Sequence, residues 1–242
     1  MTASGGQRSG TLVTAAAVAD RLAAVRERIE GAGGEPRHVT VVAVTKGFGP
    51  EAVEAAVEAG LADVGESYAQ ELDDKAGHLT GTTAGDRCRW HFIGRVQRNK
   101  VRRLVPLVHL WQAVDRVAAG KEIARQGAPA NPPRVLVQVN VSGEQGKHGC
   151  GFDDAPALVD SLSGLGLDVR GLMAVGPSGP PEDARDGFRR LTRLADQLGL
   201  PERSMGMTHD LEVAVQEGTT MVRIGRALFG TRPQPSDTRR EG

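Results

Sequence analysis

Lys46 closes the run VTVVAVT (39–45). A lysine at the end of an apolar, β-branched run meets a low-dielectric wall, and burial lowers a lysine pKa because the charged form loses its hydration. The neutral amine that results is the nucleophile that Schiff-base chemistry requires. The position also suits a solvated lysine that only ends a strand, because perturbed groups mark sites statistically rather than one by one. A second constellation lies far along the chain. Ser204-Met205-Gly206 and Arg223-Ile224-Gly225 each end a short apolar run. Glycine lets backbone approach an anion, and Ser and Arg add charge-assisted donors. The alternative is a pair of tight turns with an arginine matched to a carboxylate. An amine and an anion site in one place predict a ligand class: an aldehyde bearing a phosphate.

Both constellations need a scaffold that brings distant strand ends together. Short apolar runs occur at 39–45, 62–65, 90–93, 107–113, 134–141, 169–175, 203–206 and 220–224, which makes eight candidate strands. Continuous apolar runs suit strands covered on both faces, as in parallel sheets. Helical spacing fills most gaps. Val18, Leu22, Val25 and Ile29 mark a helix over 12–31, Pro50 opens another that Gly60 closes, and 182–198 and 208–217 carry the same period. The segments 79–89 and 142–152 read as loops. Strand–helix alternation with eight repeats predicts a single (β/α)8 TIM barrel, although an open doubly wound sheet shares much of the pattern. Active sites of such barrels sit at the C-terminal ends of the strands. Polar residues gather there: Lys46, Glu66 and Ser67, His91, Asp115, Asn140, Ser204 and Arg223.

Composition narrows the function. The 242 residues match the roughly 250 of one such barrel. The expected domain covers 11–230, with disordered tails at 1–10 and 231–242. Thirty basic and thirty acidic residues leave no net charge, and aromatics are only 3 %. Neither a global pull on nucleic acid nor a stacking platform is expected. The cluster Arg95, Arg98, Lys100, Arg102 and Arg103 reads as a solvated helix face, or as a docking patch. Cys88 and Cys150 form no CxxC pair, so no zinc is expected, and two thiols suit a reduced, cytoplasmic setting. No apolar run is long enough to span a membrane, and the first residues lack the apolar core of a signal peptide.

Six segments together carry a resemblance: TVVAVTKGF, DVGESYAQE, WHFIGRVQRNK, VLVQVNVSGEQGKHG, RGLMAVGP and SMGMTHDLEVAVQEGTTMVRIGRALFG. Over about 12–230 and in this order, they resemble the YggS/PROSC family of pyridoxal phosphate homeostasis proteins. The fold implied is that of the alanine racemase barrel domain. The resemblance implies pyridoxal 5'-phosphate as cofactor, with Lys46 as its Schiff-base lysine. Ser204, Gly206 and Gly225 match the phosphate-binding segment, and Arg223 matches an arginine near the ring nitrogen or the phosphate. Met173 and His91 match residues lining the pocket. Ser67 stands where the family usually has Asn, and Gly146-Lys147-His148-Gly149 departs slightly from the usual Ser-Lys-Ser-Gly type.

The implied role is maintenance of intracellular vitamin B6 and amino-acid balance. A single compact barrel permits a monomer, and pyridoxal phosphate-dependent apo-enzymes are the candidate recipients of the cofactor. Pyridoxal phosphate enzymes strengthen their electron sink with an acidic partner to the ring nitrogen, and an arginine there favours the weaker, unprotonated form. A racemase would also need a second acid/base, and the chain's one tyrosine, Tyr68, is expected to pack in the helix after the second strand. Binding and hand-over therefore fit better than turnover. Weak racemase activity and a sugar-phosphate aldolase on the same barrel remain the alternatives.

Overall fold

The computed structural model describes residues 13–144 and 146–232. The expected tail at 1–10 and most of that at 231–242 lie outside the described residues. In chain order the elements are α1 (Ala15–Gly31), β1 (Thr40–Val44), α2 (Pro50–Glu58), β2 (Asp63–Glu66), α3 (Ala69–His78), α4 (Thr83–Arg87), β3 (Arg89–Phe92), α5 (Arg98–Leu104) and β4 (Val108–Val114). They continue with α6 (Val117–Gln126), β5 (Arg134–Gln138), α7 (Ala155–Gly164), β6 (Asp168–Met173), α8 (Arg185–Gln197), β7 (Glu202–Ser204), α9 (Leu211–Gln216), β8 (Met221–Ile224) and α10 (Arg226–Phe229). The eight strands pair in sequence order, all parallel, and β1 closes on β8 with Val42 opposite Arg223. This is a (β/α)8 barrel.

The apolar patterning explains the layers. Val18, Leu22, Val25 and Ile29 make one stripe of α1, which packs on α2, α9 and α10. Thr14 caps that helix by accepting from the Ala17 N–H at 3.3 Å. Outward-facing strand residues meet the helices in two clusters, one built around Trp111, Phe188 and Leu191 and one around Ile29, Phe48 and Phe229. Fully burying a side chain such as Phe188 or Leu191 stabilises by about 1.5–3 kcal/mol. Inside the barrel, Val42, Leu110, Ala113, Leu136, Met173 and Met221 form a small apolar core. That core shares the interior with buried polar groups: His91, Gln112, Ser204 and Arg223.

Two expectations need correction. The segment 79–89 is not all loop. It contains α4, whose cap is the Thr82 hydroxyl accepting from the Gly85 N–H at 3.1 Å. A helix of five residues is too short to show a periodic stripe. Tyr68 does not pack. It occupies the N-cap of α3 and is 61 % exposed.

Candidate functional site

The Lys46 turn is clamped from both sides. After β1, Thr45 is fully buried and its carbonyl accepts from Lys75 Nζ at 2.9 Å. The Thr45 hydroxyl donates to Glu66 Oε1 at 2.8 Å, and the same carboxylate pairs with Lys75. On the far side of Lys46, the Gly47 N–H donates to Glu71 Oε2 at 2.8 Å. Gly47 has φ +78°, a left-handed turn that glycine adopts without strain. The backbone on either side of Lys46 is thus held by α3, and the lysine side chain carries none of that load. Lys46 itself is half-buried. Burial lowers its pKa from the ordinary 10.5, the Arg232 and Arg223 guanidiniums lower it further, and Glu66 and Glu71 oppose them. Burial pushes the Glu66 carboxyl up, against the pull of the Lys75 ammonium.

Arg223 stands across the β1–β8 seam and is 4 % exposed. Its Nη1 donates to the Ser204 carbonyl at 2.8 Å and to the Ser204 hydroxyl at 2.7 Å, and its Nη2 donates to the Ala174 carbonyl at 2.7 Å. Among the described residues no carboxylate pairs with it. Burial pushes its pKa down to about 10. A buried, unpaired guanidinium is costly, and three hydrogen bonds leave its Nε–H and one Nη2 hydrogen unspent. Those donors suit an acceptor from outside the protein. Gly206, φ +94°, follows β7, and a Cβ there would lie 2.5 Å from the Ala214 Cβ, so glycine is required where α9 closes on the strand.

A polar chain runs down the barrel from this point. The Ser204 hydroxyl donates to Gln112 Oε1 at 2.7 Å, and Gln112 Nε2 faces His91 Nδ1 at 2.7 Å. His91 Nε2 meets Asp63 Oδ1 at 3.0 Å, and Asp63 also takes both arms of Arg89, at 2.8 and 2.6 Å. The donors fall in one direction: an amide N–H must give to Nδ1, so the ring carries its proton on Nε2 and gives it to the carboxylate. Burial alone would raise the Asp63 pKa, but hydrogen bonds from His91 and Arg89 hold it well below the usual carboxylate range.

Of the residues singled out in the sequence, Lys46, Ser204, Arg223, Gly206 and Gly225 fall at the C-terminal ends of β1, β7 and β8. Ser67 follows β2, and Gly94, two residues past β3, lies so close to it that a Cβ would collide with the Ser67 carbonyl. Met173 lies below, in the apolar interior. His91 is a correction. Its ring turns to the opposite pole, where with Asp63, Arg89, His109 and Arg134 it lines a cavity of about 300 Å³. It reaches the mouth only through Gln112. Sequence reasoning passed over Gln112, Lys75, Glu71 and Arg232. A glutamine inside the run LVHLWQA was the one available signal for the first. Lys147 pairs with Glu144 at 2.6 Å. Burial raises the Cys88 thiol to about 12 and the Cys150 thiol to about 11, so neither is a ready nucleophile. Among the described residues no three His, Cys, Asp or Glu side chains could hold a metal, and no helix is long and apolar enough to cross a membrane.

A family described as alanine racemase, N-terminal domain, matches residues 13–233. The pyridoxal phosphate homeostasis protein of Pseudomonas aeruginosa is 42 % identical over 221 residues, covering 89 % of this chain and 94 % of the relative. The protein of that name from Escherichia coli K12 is 36 % identical over 231 residues, covering 89 % and 97 %. Among solved structures, PipY of Synechococcus elongatus with pyridoxal phosphate bound is 31 % identical with a TM-score of 0.75, covering 88 % of this chain and 100 % of that one. Alanine racemase from Bacillus anthracis, at 17 % identity and a TM-score of 0.67, shares the fold, with 94 % of this chain matching 58 % of that one.

Proposed function

We propose that this chain, which belongs to the pyridoxal phosphate homeostasis protein family, holds pyridoxal phosphate on the Lys46 amine and keeps it available to the cell without substantial turnover. The observation that carries the reading is the pairing of a half-buried lysine with a buried, unpaired arginine in one mouth. When bound, the group supplies an aldehyde for the amine and a ring nitrogen and phosphate for the donors. The residues present fit it. Burial and two guanidiniums bias Lys46 toward the nucleophilic, neutral amine. Arg223 donates without surrendering its proton, so the mouth is suited to hold an acceptor rather than to protonate it. Ser204 keeps that guanidinium in place. Tyr68, the chain's one tyrosine, is exposed at the head of α3 and sits among the residues of a neighbouring cleft. That position supports holding and release over racemisation, which would need a second acid/base opposite Lys46.

The test is a titration of the purified protein with pyridoxal phosphate, followed by visible absorption, beside Lys46→Ala. The wild type is expected to develop a saturable band that the variant lacks. An unchanged band in the variant would remove Lys46 from its role, and no band in either would reject the cofactor. Incubation of the loaded protein with L-alanine in deuterated water is expected to leave the α-hydrogen in place. Stereoinversion there would make the protein an enzyme.

A further inference from the structure

Beside the mouth, between the head of α3 and the turn into α5, lies a cleft of about 200 Å³. Phe92, Leu104 and Trp111 give it apolar walls, and Tyr68 stands at its rim. Two cations line it, Arg95 and Lys100, and neither side chain has an ion-pair or hydrogen-bond partner among the described residues. No lining residue carries a carboxylate. Trp111 is 1 % exposed and its indole N–H has no acceptor. Leaving a buried donor unmet costs about 1–3 kcal/mol. The ten-residue helix α3 also starts at this cleft with no side chain capping it, so its first N–H groups and its dipole add to the same sign.

We propose that this cleft binds a small organic carboxylate with an apolar body, at a site separate from the Lys46 pocket. Sign comes from the two free cations and the helix start, which favour an anion, and the unmet indole N–H inside the wall has the same sign. Size comes from the volume, which is below the ~300–1,000 Å³ of drug-sized sites. Class comes from the walls. A phosphate dianion would shed more hydration than two partly solvated cations and a helix start return. A monoanion can set its head between Arg95, Lys100 and the start of α3 and lay its apolar part on Phe92, Leu104 and Tyr68. Ser67 is the wall shared with the mouth.

The proposal does not depend on pyridoxal phosphate, so its test uses protein freed of it. The chain has two tryptophans, Trp90 and Trp111, and Trp90→Phe leaves Trp111 as the fluorescent reporter. That protein is titrated with 3-phenylpropionate, with the neutral 3-phenylpropanol and with inorganic phosphate. Saturable change with the carboxylate is expected, with weaker change for phosphate and none for the alcohol. Arg95→Gln and Lys100→Gln, both on partly or fully exposed positions, are each expected to weaken the carboxylate about tenfold. Lys46→Ala is expected to leave it unchanged. Equal binding of acid and alcohol, tighter binding of phosphate, indifference to both cation variants, or loss in Lys46→Ala would each overturn the proposal, as would no binding at all.

Discussion

Replacing Lys75 by Met would strand a carboxylate. The Lys75 and Glu66 side chains are 5 % and 0 % exposed, and Lys75 also donates to the Thr45 carbonyl. Without the ammonium, Glu66 keeps only the Thr45 hydroxyl at 2.8 Å and its neighbouring Ser67 N–H at 3.3 Å. Breaking a buried pair from one side costs about 3–5 kcal/mol, chiefly because an uncompensated charge remains. The double variant Lys75→Met/Glu66→Gln removes that charge and should return to within about 1–2 kcal/mol of wild type, since replacing both partners is often close to neutral. Urea unfolding followed by circular dichroism measures all three proteins. The pH sign follows from burial, which already holds the Glu66 carboxyl above its ordinary 4.5. A group with a raised folded pKa contributes most below its unfolded value, and that contribution is lost as pH rises through the folded one. The Lys75→Met deficit should therefore shrink on acidification toward pH 4.5. A single variant within about 1 kcal/mol of wild type, a double variant no better than the single, or a deficit that grows in acid would refute the reasoning.

Other outcomes follow from the same geometry. Arg232→Gln removes one of the charges that lower the Lys46 pKa, so the pH midpoint of amine labelling at Lys46 should rise. Gln112→Leu leaves the Ser204 hydroxyl and His91 Nδ1 unmatched; thermal unfolding should show a loss of about 1–3 kcal/mol, with weaker pyridoxal phosphate binding in the absorption titration. Asp63 has a depressed pKa, so it contributes stability above its ordinary 3.8 that is lost as pH falls through the folded value; in Asp63→Asn the acid unfolding curve should lose that component below about pH 3.8. Gly94→Ala forces a methyl into the Ser67 carbonyl, and circular dichroism melts should report a destabilisation of about 1–3 kcal/mol.

The strands were legible because each is a short apolar run covered on both faces, and the closure was legible because there were eight. Lys46 and Arg223 were legible for a related reason: a charge at the end of such a run has to be accounted for. His91 shows where this logic stops. Alternation says that a side chain faces the barrel interior, but not whether it leans up or down the axis. His91 sits one residue before the end of β3 and leans toward Asp63 at the start of β2. The clamp on Lys46 was hidden for another reason. Lys75 and Glu71 lie on α3 among other charged residues, and only the packing of that helix against β1 and β2 separates buried charges from solvated ones. Arg232 fell in a stretch whose composition reads as tail, yet its charge acts on Lys46 and its side chain lies beside Gly47.

The seam between β1 and β8 joins residues about 180 positions apart, with Val42 opposite Arg223. Pairings this distant form late, because the loop must be closed before the contact repays it. As the chain leaves the ribosome, the strand that leads to Lys46 is made early and then waits with one edge open. The mouth acquires its arginine only when the last strand has docked. A prematurely terminated chain would carry the lysine but not the guanidinium opposite it. If the mouth holds pyridoxal phosphate as proposed, its capture would report on finished synthesis, and a truncated product would fail that test of folding.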